Sequence, residues 1–269
     1  MFAFGIRMIR DKYKSFIAFT ISAVAFLEMY VALFPSIKKQ AVQIDQMMKS
    51  FPPEIFKAMN MDPSALSFST LESYMSTEYM SFLWPILAII FTISIANFIS
   101  VNEIDKGTIE TLISLPASRI KIFIERYFAG LLMIIVFTLI SIFGIIPLAI
   151  LHGINYDIAR YLTASGGSVL FIWAVYSLSV LFSVLMSEKG KASMATGGVL
   201  VLMYVLSIIS SLQDNLKNIQ YFSFFHYFNG TELLSKGIFT DYSFFVLGGF
   251  AIIATVVAAL IFTRRDLSV

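Results

Sequence analysis

The sequence predicts an all-α integral membrane protein with six transmembrane helices. Of its 269 residues, 58% are hydrophobic and 13% are charged, whereas a soluble domain carries about 25% charged residues. Several apolar runs reach the ~18–20 residues that span a bilayer. Because backbone groups in lipid must be satisfied internally, such runs favour helices over a barrel. We therefore expect residues 1–269 to form a single transmembrane domain.

Hydropathy places the six spans at residues 16–34, 79–101, 127–151, 167–186, 193–212 and 243–262. Pro147 falls inside the third span and should bend it or end its regular part. Before the first span, residues 1–15 put Phe2, Ile6, Ile9 and Tyr13 on one helical face. Arg7 and Arg10 lie on the other face, so this segment is expected to be an amphipathic helix at the membrane interface.

The distribution of Lys and Arg predicts the orientation of the chain. Twelve of these residues fall on the side of the N-terminus and seven on the opposite side, where the loops are longer. Basic residues accumulate on the cytoplasmic side. We therefore expect both termini to be cytoplasmic and residues 36–78 and 213–242 to be external.

Glu28 is the acidic residue that lies well inside a predicted span. An ionised group there is costly and usually faces protein or a cavity. It is a candidate contact for substrate, or for a cation or proton, in the transport pathway. The alternative is a structural hydrogen bond to a neighbouring helix, or proximity to lipid headgroups.

Residues 102–126 form a longer and more charged connection than two adjacent spans need. Ile109, Leu112 and Ile113 recur at helical spacing, and Pro116 should end that helix after about two turns. Two interpretations compete, namely a position in the headgroup layer and docking to a cytoplasmic partner. A helix this short has too little apolar area for strong membrane binding, which favours docking.

The stretch EIDKGTIETLISLPASR, from Glu103 to Arg119, resembles the signature of permease subunits of type-2 ATP-binding-cassette (ABC) exporters. The resemblance implies that this element is a coupling helix in a groove of a separate ABC ATP-binding subunit. That role would fall on Gly107, Thr108, Ile109, Glu110, Leu112 and Ile113, with Pro116 and Arg119 anchoring the return. It also implies that the N-terminal helix, with Arg7 and Arg10, lies beside the same subunit.

The same resemblance implies short re-entrant helices within 213–242, for which an aromatic belt is the alternative. It further implies a prokaryotic plasma membrane, and a partner that is a second permease copy or a sister permease.

The sequence lacks the motifs of an enzyme. It contains no cysteine, no G-x-x-x-x-G-K-[ST], no G-x-S-x-G and no H-E-x-x-H, so we expect a non-catalytic subunit without a metal or cofactor of its own. ATP and Mg²⁺ would act through the partner ATPase, and the near-neutral charge implies no nucleic-acid partner. The expected function is ATP-driven export of an amphipathic or hydrophobic peptide, drug or lipid-like molecule. The alternative is an ATP-independent, ion-coupled carrier or channel that uses Glu28.

Overall fold

The computed structural model describes residues 2–52, 55, 68–109 and 116–265. These residues form eleven α-helices: α1 (Ala3–Lys39), α2 (Ala41–Lys49), α3 (Leu71–Ala96), α4 (Val101–Asp105), α5 (Arg119–Phe143), α6 (Ile145–Leu151), α7 (Ile158–Leu185), α8 (Lys189–Leu212), α9 (Phe224–Tyr227), α10 (Gly230–Ser235) and α11 (Ser243–Arg264). Helix α3 includes a π-helical stretch at Ser76–Leu83, and Asp214–Phe222 form a 3₁₀ helix. Six segments, namely α1, α3, α5 with α6, α7, α8 and α11, are long and apolar enough to cross a membrane. The predicted fold class is confirmed.

Five of the six membrane-spanning segments begin earlier than the apolar runs in the sequence, while α11 begins at the predicted residue, Ser243. The second, third and fourth begin at Leu71, Arg119 and Ile158, before the predicted starts at 79, 127 and 167. Hydropathy detects only the part of a helix suited to lipid, whereas helical hydrogen bonds continue until a capping residue ends them. Asp157, for example, caps α7 by accepting a hydrogen bond from the N–H of Ala159 at 3.0 Å.

The predicted N-terminal helix continues without a break into the first span. Helix α1 has 37 residues, or about 55 Å at ~1.5 Å per residue. The hydrocarbon layer is about 30 Å thick. Part of α1 therefore extends beyond the apolar layer, and its first turns belong to the same rigid rod as its membrane-spanning part.

The third span is interrupted, as the position of Pro147 predicts. Helix α5 ends at Phe143, Gly144 separates it from α6, and α6 begins at Ile145. Proline has no N–H to donate to the carbonyl four residues earlier, here that of Phe143, and its ring crowds that carbonyl. The interruption therefore lies three to four residues before the proline.

Helix α7 lies at the centre of the bundle, with 67% of its most apolar stretch buried, against 17% for α1 and 22% for α8. A polar cluster joins it to α5 and α11. The hydroxyl of Tyr127 accepts hydrogen bonds from Trp173 Nε1 at 2.9 Å and Thr255 Oγ1 at 2.7 Å, and lies 3.0 Å from Ser177 Oγ. Polar side chains of this kind hold membrane helices together because lipid offers them no other partners.

Short helices cover the end of the bundle opposite the N-terminus. The Asp214–Phe222 helix, α9 and α10 follow α8 in the chain. Helix α10 packs closely on α7, because a Cβ added to Gly167 of α7 would lie only 2.6 Å from Cδ1 of Leu233 in α10. Helix α2 is tied to the residue before α3 by a 3.2 Å hydrogen bond from the Phe68 N–H to Asp45 Oδ1. The rest of the predicted external segment, at 53–54 and 56–67, lies outside the described residues.

Candidate functional site

The connector between α3 and α5, residues 97–118, begins with a turn at Asn97–Ser100 followed by α4. Asn102 and Glu103, which the sequence predicts to be cytoplasmic, are buried together with Val101. The turn folds α4 back against the bundle, which buries these residues. Asn97 Nδ2 donates to Ser193 Oγ at 2.8 Å, which joins the end of α3 to α8.

Arg126 of α5 holds this turn in place. Its Nη2 donates to Glu103 Oε1 at 3.0 Å, and its Nη1 donates to the carbonyls of Phe98 at 3.1 Å and Ile99 at 3.2 Å. The arginine is only 2% exposed. A buried arginine with three hydrogen-bond partners is part of the connector's architecture.

Glu103 is bonded on both sides. Besides Arg126, it accepts a short hydrogen bond from Thr108 Oγ1 on Oε2. Burial alone would raise the pKa of the Glu103 carboxyl, but the Thr108 hydrogen bond and the Arg126 charge outweigh burial and hold that pKa below its ordinary value. The carboxylate is therefore ionised at neutral pH and joins α4 both to α5 and to Thr108.

The three predicted site residues that follow α4 have distinct local roles. Gly107 has a φ of +67° and nothing within 4 Å of its Cβ position, so a left-handed backbone rather than lack of space requires glycine here. The backbone N–H of Thr108 donates to the Glu103 carbonyl at 2.8 Å. Ile109 is fully buried. The chain thus enters the predicted coupling helix from a tight, anchored turn.

The Asp105 carboxylate accepts a 3.4 Å hydrogen bond from the N–H of Lys189, at the start of α8. The predicted site residues Glu110, Leu112 and Ile113 lie outside the described residues.

The connector returns to the bundle through Arg119. Pro116 is exposed, and Ser118 precedes α5 in an extended conformation without a capping hydrogen bond from its side chain. Arg119 Nη1 donates to the carbonyl of Arg265 at 2.8 Å. Arg265 in turn donates to the carbonyls of Val184 at 2.6 Å and Met186 at 3.0 Å. The exit of the connector is therefore bonded to the end of α11, and through it to the turn between α7 and α8.

The first turn of α1 is held by a residue next to Arg126. Glu125 is buried, and its Oε2 accepts a 2.9 Å hydrogen bond from the N–H of Phe4. A carboxylate at this position satisfies a free helix N–H and complements the helix dipole. Arg7 and Arg10 are exposed, and Arg7 lies 3.7 Å from Asp11 in an ion pair. The two predicted partner-binding arginines are thus on the accessible side of α1.

Sequence reasoning did not identify Glu125 and Arg265 as parts of this site. The available signal was weak: Glu125 and Arg126 are adjacent charges that lead directly into an apolar span. Charges at that boundary are equally typical of a headgroup position, so the pattern could not distinguish a buried anchor from a solvated residue.

Glu28 pairs with a neighbouring element at the opposite end of the bundle. His152 Nε2 lies 2.9 Å from Glu28 Oε1, which links α1 to the residue that follows α6. The Glu28 side chain is 42% exposed. This geometry matches the structural hydrogen bond that the sequence left open as one of two explanations for Glu28.

An apolar groove of about 280 Å³ lies between α3 and α8. Its walls include Pro85, Ile86, Ile89, Ile90, Leu200 and Val201. At one end it meets a more polar crevice that Ser81, Tyr204 and Asn229 help to line. The groove is therefore apolar along its length and polar at one end.

A family model described as "ABC-2 family transporter protein" matches residues 8–267 of the chain. No curated protein matched the sequence. The family match covers the six apolar segments, the connector and the C-terminal anchor at Arg265. The protein is a multi-pass membrane protein and belongs to the ABC-2 family of transporters, in which it is a permease subunit.

Proposed function

We propose that this chain is the membrane subunit of an ATP-driven exporter in a prokaryotic plasma membrane, with both termini in the cytoplasm. A separate ABC ATP-binding subunit hydrolyses ATP and grips residues 107–115. The complex contains two membrane subunits, either two copies of this chain or this chain and a sister permease.

The anchoring of the connector on both sides carries this proposal. The Glu103–Arg126 pair holds its start, and the bond from Arg119 to Arg265 holds its exit. A segment fixed at two points moves its supporting helices when it is pushed, whereas a free loop would absorb the displacement. Force applied between these points reaches α5 directly and α7 and α11 through Arg265.

The lining of the groove between α3 and α8 supports the proposal that the substrate is amphipathic. Its isoleucine, leucine and valine side chains favour the binding of an apolar group, because that group loses its contact with water or headgroups when it enters the groove. The polar crevice at one end offers the hydroxyl of Tyr204 and the amide of Asn229 to a polar group of the same molecule. We propose this groove as part of the transport pathway.

Co-purification tests the ATPase partnership. The tagged chain, isolated from its native host, should carry a vanadate-sensitive ATPase, and Glu110→Ala with Leu112→Ala should remove it. The matched control is Glu188→Ala with Leu185→Ala, an exposed pair of the same residue types beside the turn between α7 and α8. A wild-type chain without ATPase activity, or a double variant that keeps its ATPase, contradicts the proposal.

Transport by the reconstituted complex tests the pathway, with the hydrophobic cation rhodamine 6G as the probe. Ile86→Trp should fill the groove and reduce ATP-dependent dye movement at least several-fold. Ile252→Trp, on an exposed face of α11, should not. Glu28→Gln distinguishes the proposed function from the alternative one, since an ion-coupled carrier would lose transport and an ATP-driven permease would keep it.

A further inference from the structure

Three lysines converge near the end of the bundle that holds the N-terminus: Lys12 of α1, Lys106 after α4 and Lys189 at the start of α8. We call them the lysine triad. Lys189 and Lys106 are the cations whose charges act on the Lys12 ammonium. Lys12 is half-buried and Lys106 and Lys189 are exposed, and an anion that contacts all three would offset their mutual repulsion.

Hydrogen bonds on the supporting helices explain why the triad converges. Lys12 Nζ lies 3.4 Å from Ser94 Oγ of α3, and Asn97, one turn later, is bonded to Ser193 of α8. Ser193 lies one turn after Lys189 and donates to its carbonyl at 3.0 Å. The carboxylate of Asp105, the residue before Lys106, accepts a hydrogen bond from the N–H of Lys189.

The nearby carboxylates have other partners. Asp11 pairs with Arg7, Glu188 pairs with Lys191, and Asp105 bonds the backbone of Lys189. Within residues 2–52, 55, 68–109 and 116–265, no carboxylate forms an ion pair with an ammonium group of the triad. The hydrogen bond to a neutral N–H leaves the negative charge of Asp105 in place, so this carboxylate offsets one of the three positive charges, and the described residues still leave a net positive charge here.

The position of Lys12 indicates where the missing anion comes from. Its ammonium lies 5.0 Å from the centroid of the Phe98 ring and beside Ser94, close to the last turn of a membrane-spanning helix. The side chain is half-buried. This is the boundary between hydrocarbon and headgroups, where basic pockets between helices bind lipid phosphates.

We propose that the lysine triad binds the phosphate group of an anionic phospholipid in the leaflet on the N-terminal side of the membrane. The phosphate lies between α1, the connector and α8, where its negative charge offsets part of the positive charge of the three ammonium groups. Because α1, α4 and α8 meet there, a bound lipid stabilises the connector's start against the bundle. This site does not depend on ATP-driven export.

Lipid titration of the full-length chain in detergent tests the site. Phosphatidylglycerol should bind at least tenfold more tightly than phosphatidylcholine by native mass spectrometry. Lys12→Gln with Lys189→Gln should remove that preference, and Lys12→Arg with Lys189→Arg should retain it. The control Lys14→Gln with Lys121→Gln removes two exposed charges elsewhere on the same side and should leave the preference unchanged.

Three outcomes overturn the proposal. An unchanged preference in the Gln variant shows that the triad does not bind lipid. Displacement of phosphatidylglycerol by millimolar inorganic phosphate shows a site for free phosphate rather than lipid. Unchanged lipid binding with loss of a co-purifying ATPase assigns the triad to an acidic protein surface.

Discussion

The guanidinium of Arg126 and the carboxylate of Glu103 lie 3.0 Å apart in the interior of the protein and join α5 to the start of the connector. The same guanidinium also bonds the carbonyls of Phe98 and Ile99. Removal of one partner from a buried ion pair leaves the other charge uncompensated, which costs far more than the pair contributes in net stability.

We therefore expect Arg126→Met to lower the free energy of unfolding by about 3–5 kcal/mol. Arg126→Met combined with Glu103→Leu should lose less than Arg126→Met alone, because no unpaired carboxylate remains. Thermal unfolding in detergent, followed by tryptophan fluorescence, measures both. Equal stability of the single variant and the wild type would show that Glu103 is solvated and unpaired.

Acid should weaken the connector through Glu103. Its folded-state pKa is below the ordinary value, so the stabilisation is present above the ordinary pKa of about 4.3 and is lost as pH falls through the folded-state pKa. Between pH 7 and pH 3.5 the unfolding temperature of the wild type should fall more than that of Glu103→Gln. The exposed Glu188→Gln variant should follow the wild type. Parallel pH profiles for all three proteins would contradict this assignment.

Gly107 should tolerate asparagine better than valine. Its φ of +67° is costly for residues with a Cβ, by about 1–2 kcal/mol, while asparagine adopts this conformation more readily than β-branched residues. If the ATPase binds the segment that follows, Gly107→Val should reduce its co-purification and Gly107→Asn should reduce it less. Equal effects of the two variants would show that backbone conformation at Gly107 does not matter.

Tyr127→Phe should loosen the contact between α5, α7 and α11. The variant loses the hydroxyl that accepts from Trp173 and Thr255, and interhelical hydrogen bonds in membranes average about 0.6 kcal/mol each. We expect a loss of about 1 kcal/mol in thermal unfolding. Tyr13→Phe, at an exposed position of α1, is the matched control and should lose nothing measurable.

Arg265→Gln should release the end of α11 from the turn between α7 and α8. The side chain bonds Val184, Met186 and Ser187, and glutamine is too short to preserve all three contacts. Hydrogen exchange at residues 184–189 and 260–265 should rise, and Arg264→Gln, a neighbouring exposed arginine, should leave it unchanged. Similar exchange in the two variants would contradict an anchoring role for Arg265.

The sequence by itself determined the six apolar segments and the interruption before Pro147, because both follow from local chemistry: the length of an apolar run, and a missing N–H. It also identified the connector, since a charged, proline-ended stretch between two spans is visible without any structure.

Only the tertiary structure decided how the connector is anchored. Glu125 caps a helix 121 residues away, and Arg119 bonds a carbonyl 146 residues away. Whether Arg126 is buried or solvated, and whether Glu28 finds His152, depend on which helices become neighbours. Hydropathy reports how a residue partitions between water and lipid, but not which helix face lies opposite it, so these contacts follow from packing alone.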